Sequence, residues 1–211
     1  KTRGSNMAKV SGRLFILSAP SGTGKTSLTK SLIQKNINLS LSISYTSRRM
    51  RPTEVEGHDY FFVERNIFEQ MLEDRELVES AEIYGNLYGT SRQWINEAIN
   101  SGKDILLEID GQGARQVREI FSDVVSIFVL PPSLEVLENR LKDRNQDSKE
   151  VIAKRMAAAK EEISHVSEYD YVIINDNMDV ALRDLVSVVQ SERLRAPAQL
   201  TRYHDLVTQL G

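Results

Sequence analysis

The chain has 211 residues, 40% of them hydrophobic and 27% charged, with a formal net charge of −3, three histidines and no cysteine. That length carries one large domain, or a core with inserted subdomains, and needs no staples to hold its core. The composition excludes disulfide frameworks and thiolate metal sites, argues against a general nucleic-acid binder, and contains no apolar run long enough to span a bilayer.

Lys1–Asn6 are polar, lack an apolar signal core and read as an appended scar ahead of Met7, which leaves the cytoplasm as the expected compartment. Arg13–Ser18 is the first expected strand and Thr26–Lys35 the first helix. Between them runs Ala19-Pro20-Ser21-Gly22-Thr23-Gly24-Lys25-Thr26. Strand, glycine-rich turn, Lys-Thr and helix in this order are the context of a phosphate-binding loop, with Ala19 standing where a first Gly is expected. In such a loop the amide hydrogens and the helix N-terminus face the anion, Lys25 reaches the terminal phosphates and the Thr26 hydroxyl ligates Mg²⁺. Leu39–Ser44 alternates apolar and polar residues as a half-buried strand.

From Ser44 to Thr90 the alternation of strand and helix is interrupted by short strands, a helix near Asn66–Asp74 and a turn at Gly85-Asn86, which reads as an inserted mixed subdomain. Arg48 and Arg51 follow the second strand, with Tyr60 beyond; guanidinium forks match phosphate oxygens. Glu79 sits next to the apolar pair Leu77-Val78. Thr90-Ser91 caps a helix ending at Gly102. Asp104–Ile109 is a buried strand closed by Glu108 and Asp110, acids that at the end of a parallel strand beside a phosphate loop can orient Mg²⁺ or its waters. Val124–Leu130 is the next strand, stopped by Pro131-Pro132.

Ser133–Arg144 is helical, with Leu134, Leu137 and Leu141 on one face; after a polar break, Ser148 caps a second helix to about Ile163. This charged pair reads as an exposed hairpin or as a mobile lid, a choice that turns on Arg140, Arg144 and Arg155. Tyr171–Ile174 is the last strand and Met178–Arg195 an amphipathic helix interrupted before Pro197. The tail over Leu200–Leu210 docks on the domain or on another subunit. Scattered His58, His165 and His204 show no ligand spacing. The fold class is α/β: a three-layer fold with a parallel central sheet.

Thr46-Ser47-Arg48 with Arg51-Pro52, Gly57-His58-Asp59-Tyr60-Phe61-Phe62, Gly85-Asn86-Leu87-Tyr88-Gly89-Thr90-Ser91, Ile109-Asp110-Gly111-Gln112-Gly113-Ala114, Pro131-Pro132-Ser133 and Ile174-Asn175-Asp176, together with the phosphate loop, resemble the guanylate kinase family, and its bacterial branch most. They occur in family order over roughly Gly12–Glu192. Ala19 suits that branch, whereas Gly111 stands where the family usually has a larger residue such as Trp. The resemblance implies a kinase that moves the γ-phosphoryl group of Mg-ATP to GMP, and to dGMP, as a monomer or homodimer with no nucleic-acid or membrane partner. It divides the chain into core (7–44, 91–132, 165–211), GMP-binding subdomain (45–90) and lid (133–164). It implies GMP binding by Ser44, Arg48, Arg51, Tyr60, Glu79, Tyr88, Thr90 and Asp110. Lys25, Arg48, Arg140 and Arg155 are the implied catalytic residues, with Arg144 and Asn175 on the lid or adenine side. Competing classes are a kinase for another monophosphate, a protein-binding module of the same fold, and a P-loop ATPase or GTPase acting on water.

Overall fold

The computed structural model describes residues 11–35, 37–83, 85–144 and 148–211, without the side chains of residues 143 and 144. The reading of residues 1–6 and Met7, and Tyr84 of the hairpin, lie outside the described residues, as does the Arg144 side chain. In chain order the elements are β1 (Leu14–Ser18), α1 (Lys25–Gln34), β2 (Leu39–Leu41), β3 (Tyr45–Thr46), β4 (Phe61–Phe62), α2 (Arg65–Glu73), β5 (Leu77–Ile83), β6 (Asn86–Ser91), α3 (Arg92–Asn100), β7 (Asp104–Glu108), α4 (Gly111–Ile120), β8 (Val125–Leu130), α5 (Leu134–Arg144), α6 (Lys149–Ser164), β9 (Tyr171–Ile174), α7 (Met178–Arg193), α8 (Ala196–Arg202) and α9 (His204–Leu210).

Every residue of β1 is buried, as a strand covered on both faces requires. It is the centre of a five-stranded parallel sheet in the order β2-β7-β1-β8-β9. Alternation sends Phe15 and Leu17 to one face, against Leu28 and Leu32 of α1 and Leu185 and Val189 of α7. Leu14 and Ile16 face the other way, against Ile95 of α3 and Ala114 and Val117 of α4. Helix, sheet and helix form three layers. Because the sheet is parallel, the turns into α1 and α4 leave adjacent strands at the same carboxyl edge, where α/β sheets hold their ligands.

The region after β2 forms a second sheet, β4-β3-β6-β5, with parallel β3–β4 and antiparallel β3–β6 and β5–β6 pairs. Phe68 and Met71 of α2 close its core over Leu77 and Leu87. Gln116 of α4 ties it to the main body by bracketing Ser80, accepting from its N–H at 2.9 Å and donating to its carbonyl at 3.3 Å. The strand expected over Leu39–Ser44 is shorter, ending at Leu41: Ser42 still donates to the Leu106 carbonyl, but the chain then leaves the parallel sheet for the second one.

Ser133 and Ser148 begin α5 and α6 as expected, their hydroxyls accepting from Val136 and Val151. Leu137 and Leu141 are buried with Ala159 and Met156, whereas Leu134 is 44% exposed; the hairpin therefore has a small core of its own. Pro197 occupies the first turn of α8, where its missing N–H costs nothing. Neither α8 nor α9 has a buried residue. Among the described residues no helix is long and apolar enough to cross a membrane.

Candidate functional site at the carboxyl edge of the sheet

The chain turns from β1 into α1 through Gly22 and Gly24, at φ of 88° and 93°, angles that a side chain resists. Both also lack room for one. A Cβ on Gly22 would stand 2.9 Å from Leu141 Cδ2, and one on Gly24 2.6 Å from Asn175 Nδ2. Asn175, at the end of β9, donates Nδ2 to the Thr23 carbonyl at 2.7 Å, and Thr23 Oγ1 donates to the Pro20 carbonyl at 2.7 Å. Arg140 of α5 donates Nη2 to the Asn175 carbonyl at 3.1 Å. The loop is thus held from outside by β9 and α5. Gly24 caps α1 without a side-chain hydrogen bond, so the helix opens on unpaired amides of the kind that receive phosphate.

Lys25 donates Nζ to the Ile109 carbonyl at 3.4 Å, and Ser18 donates its hydroxyl to the same oxygen at 2.8 Å. Thr26 Oγ1 donates to Glu108 Oε1 at 2.9 Å. Asp110 instead caps α4, accepting from the Gly113 N–H at 2.8 Å. The end of β7 at Glu108 explains the division. Glu108 shares the face of Leu106, which packs on the α1 side, while Asp110 stands one residue before the next helix. Of the two, Glu108 is the acid bonded to Thr26.

Across this edge lies the second sheet. Glu79 is 6% exposed and accepts from Thr90 Oγ1 at 2.7 Å. Ser44 Oγ is 3.4 Å from Thr90 Oγ1; with the Thr90 proton on Glu79, Ser44 is the donor in that contact. Burial pushes the Glu79 carboxyl up to about 7, the Thr90 hydrogen bond opposing and the Asp110 charge reinforcing the shift. Gly113 gives Glu79 its room: a Cβ there would stand 3.1 Å from Glu79 Oε2. A Cβ at Gly111 would make ordinary van der Waals contacts, 3.7 Å from Tyr169 Oη and 3.9 Å from Arg115 Nη1.

Arg48, Tyr60 and Tyr88 cluster in the same subdomain, Tyr88 lying two residues before Thr90 on β6. The Tyr60 and Tyr88 rings meet edge to face at 5.8 Å, and the Arg48 guanidinium is 5.6 Å from the Tyr60 ring centre. Burial holds the Tyr60 phenol above its usual range. Arg51 is exposed at the rim. Two residues that the sequence reading did not single out belong here. Glu54 forks Arg48 at 2.6 and 3.0 Å, and this hydrogen-bonded pairing holds its carboxyl below the usual range. Glu162 of α6 is pushed up by burial, with the Lys25 ammonium opposing and Asp110 reinforcing, which brings α6 to the phosphate loop. Arg155 is half-buried two turns earlier on the same face of that helix. Among the described residues no cluster of three or more His, Asp or Glu could hold a metal alone.

Fold and loop together define a P-loop α/β protein with a second sheet set against the loop. The family model for guanylate kinase matches residues 11–192. The guanylate kinase of Nitrosospira multiformis is 62% identical over 97% of both chains, and that of Nitrosomonas europaea 53% identical over 94% of this chain and 98% of its own. A crystal structure of guanylate kinase from Anaplasma phagocytophilum, 33% identical, superposes with a TM-score of 0.71 over 89% of each chain. The chain belongs to the guanylate kinase family.

Proposed function

We propose that this chain transfers the γ-phosphoryl group of Mg-ATP to GMP, and to dGMP, giving ADP and the diphosphate, as a cytoplasmic enzyme of purine nucleotide metabolism and GMP recycling. The observation that carries the reading is the buried Glu79, engaged by Thr90 with Ser44 behind it and under the influence of the Asp110 charge, in the subdomain that also carries the arginine-tyrosine cluster. Guanine offers N1–H and N2–H₂ donors beside the O6 acceptor. An ionised Glu79 accepts from the donors, Asp110 adds an acceptor for N2, and the Ser44 and Thr90 hydroxyls, turned from the contacts they make with Thr90 and Glu79 here, donate to O6. Adenine reverses this edge and leaves the buried carboxylate unpaired, which a polar site penalises strongly. Arg48, Arg51, Tyr60 and Tyr88 take the acceptor phosphate.

On the donor side, the amides of residues 19–26 cradle the phosphates and Lys25 reaches the β- and γ-oxygens. The Thr26 hydroxyl and Glu108 carboxylate, 2.9 Å apart, are the hard oxygen donors that suit Mg²⁺, Thr26 directly and Glu108 or Asp110 through water. A Mg²⁺ ion held there with ATP would supply positive charge against the β- and γ-phosphates. The GMP phosphate, with a second pKa of about 6, is already a nucleophile at neutral pH, so no strong base is required. Arg48 bridges donor and acceptor. Arg140, Arg144 and Arg155, on a lid formed by α5 and α6, move onto the transferring group, and closure keeps water from competing. Residues 45–90 are the acceptor subdomain in this scheme.

The test is ADP formation from Mg-ATP with GMP, AMP, UMP, CMP and dTMP offered singly. Turnover with GMP alone is expected. Preference for another monophosphate would overturn the roles of Glu79 and Ser44, and GMP binding without turnover would leave a binding module.

A further inference from the structure

Glu54 lies in the irregular loop between β3 and β4, yet its carboxylate is one of the best-engaged groups near the cleft. Its two oxygens accept from Arg48 Nη2 at 2.6 Å and Nη1 at 3.0 Å, and Oε2 also accepts the Arg51 N–H at 2.7 Å. Arg48 Nη1 donates as well to the Arg49 carbonyl at 2.8 Å. Both side chains are largely covered, 15% exposed for Arg48 and 14% for Glu54. The Arg48 guanidinium is flanked by the rings of Tyr60 and Phe62, at 5.6 and 5.7 Å.

A guanidinium has five N–H groups arranged as two bidentate edges, Nη1/Nη2 and Nε/Nη2. Glu54 and the Arg49 carbonyl take both Nη1 protons and one on Nη2. The donors that Glu54 and the Arg49 carbonyl leave are Nε–H and the second Nη2–H, parallel and spaced for two oxygens of a phosphate, with the Tyr88 hydroxyl also within hydrogen-bonding reach of this guanidinium. We propose that Glu54 is a positioning residue for the acceptor phosphate: by holding the Nη1/Nη2 end of Arg48 and the backbone of Arg51 it fixes the side edge of Arg48 as the phosphate-facing one. This rests on the reading of GMP as acceptor. The alternative, that Glu54 competes with the phosphate for Arg48, predicts the opposite sign when its charge is removed.

The experiment compares the parent with Glu54→Gln and Glu54→Asp, by calorimetric titration with GMP and with guanosine and by steady-state kinetics. A carboxamide accepts at one atom only and turns a donor toward Arg48. The expected result for Glu54→Gln is a Kd and KM for GMP raised about tenfold or more, the loss of one charge-assisted hydrogen bond. Guanosine affinity should stay within about twofold, since guanosine brings no phosphate to this site, and the KM for ATP should change less than that for GMP, since Arg48 meets ATP only at its transferring end. Glu54→Asp, which keeps both oxygens, should recover part of the GMP affinity. Equal or tighter GMP binding by Glu54→Gln overturns the proposal, and so does an equal loss for guanosine, which would mark general damage to the subdomain. If the parent itself binds no GMP, the acceptor reading falls and the proposal with it; if the parent binds GMP and Glu54→Gln binds it equally well, only the proposal falls.

Discussion

Acidification should weaken GMP binding through Glu79 before it acts on the nucleotide. Burial holds this carboxyl up to about 7, and only its ionised form can accept from both guanine donors. Bound guanine stabilises the charged form, so the carboxyl is raised in the free protein and lowered in the complex, and affinity is full above about 7 and lost as the pH falls below it. With a factor of 1 + 10^(7 − pH), going from about pH 8 to about pH 6 weakens binding about tenfold. The second ionisation of the phosphate, at about 6, contributes only about twofold over the same interval. Glu79→Gln removes the titrating group and should retain only the smaller dependence. Calorimetric titration of parent and variant with GMP at three pH values separates the two. Superimposable pH curves would refute the argument that the buried carboxylate is the guanine acceptor. The protonated acid presents one donor and one acceptor, which complements adenine, so the preference for GMP over AMP should also narrow as the pH falls through this range.

Lys25→Ala should lower turnover about a thousandfold or more with an unchanged melting curve, because its ammonium serves the transferring phosphates rather than the core; near-parental rates from folded protein would remove Lys25 from the mechanism. Gly24→Ala combines a φ of 93° with a contact 2.6 Å from Asn175 Nδ2, so it should cost about 1–3 kcal/mol by denaturant unfolding and raise the KM for ATP. Glu192→Ala should cost about 3–5 kcal/mol while leaving kcat near the parental value. Glu192 is 4% exposed, ion-paired with Arg13 at 2.5 Å and accepts from the Tyr171 hydroxyl at 2.6 Å, at the edge of the sheet away from the phosphate loop.

The phosphate loop was legible because its signal is local: strand, glycine spacing, Lys-Thr and helix follow one another without a gap. The caps at Ser91, Ser133 and Ser148 were legible for the same reason. Glu108 was readable in principle. Counting by twos from the buried Leu106 puts its side chain toward α1 and Thr26; the same count reaches Asp110, but the strand ends at Glu108 and Asp110 turns away to cap α4. Glu54 carried no pattern, since its partner is six residues away through a loop without periodicity, and only the folded turn brings the carboxylate onto Arg48. Glu162 and Gln116 were hidden differently. Each is an ordinary polar residue on a helix surface until that helix docks, Glu162 beside Lys25 and Gln116 on the backbone of Ser80. The shortened β2 reflects a change of sheet, which alternation of residue type does not encode.

The placement of β1 has a consequence for how the molecule is made. Leu14 pairs with Ile105 and Phe15 with Val125, so the strand that begins the phosphate loop finds its neighbours some ninety and one hundred and ten positions later. At a synthesis rate of about 5–20 residues per second, Phe15, Ile16 and Leu17 wait several seconds for partners that do not yet exist. The second sheet, whose pairings all close within residues 45–91, can assemble in that interval. On this account the segment most tied to nucleotide chemistry leaves the ribosome well before its sheet neighbours and is buried late, and its apolar run is open to aggregation until β7 and β8 arrive.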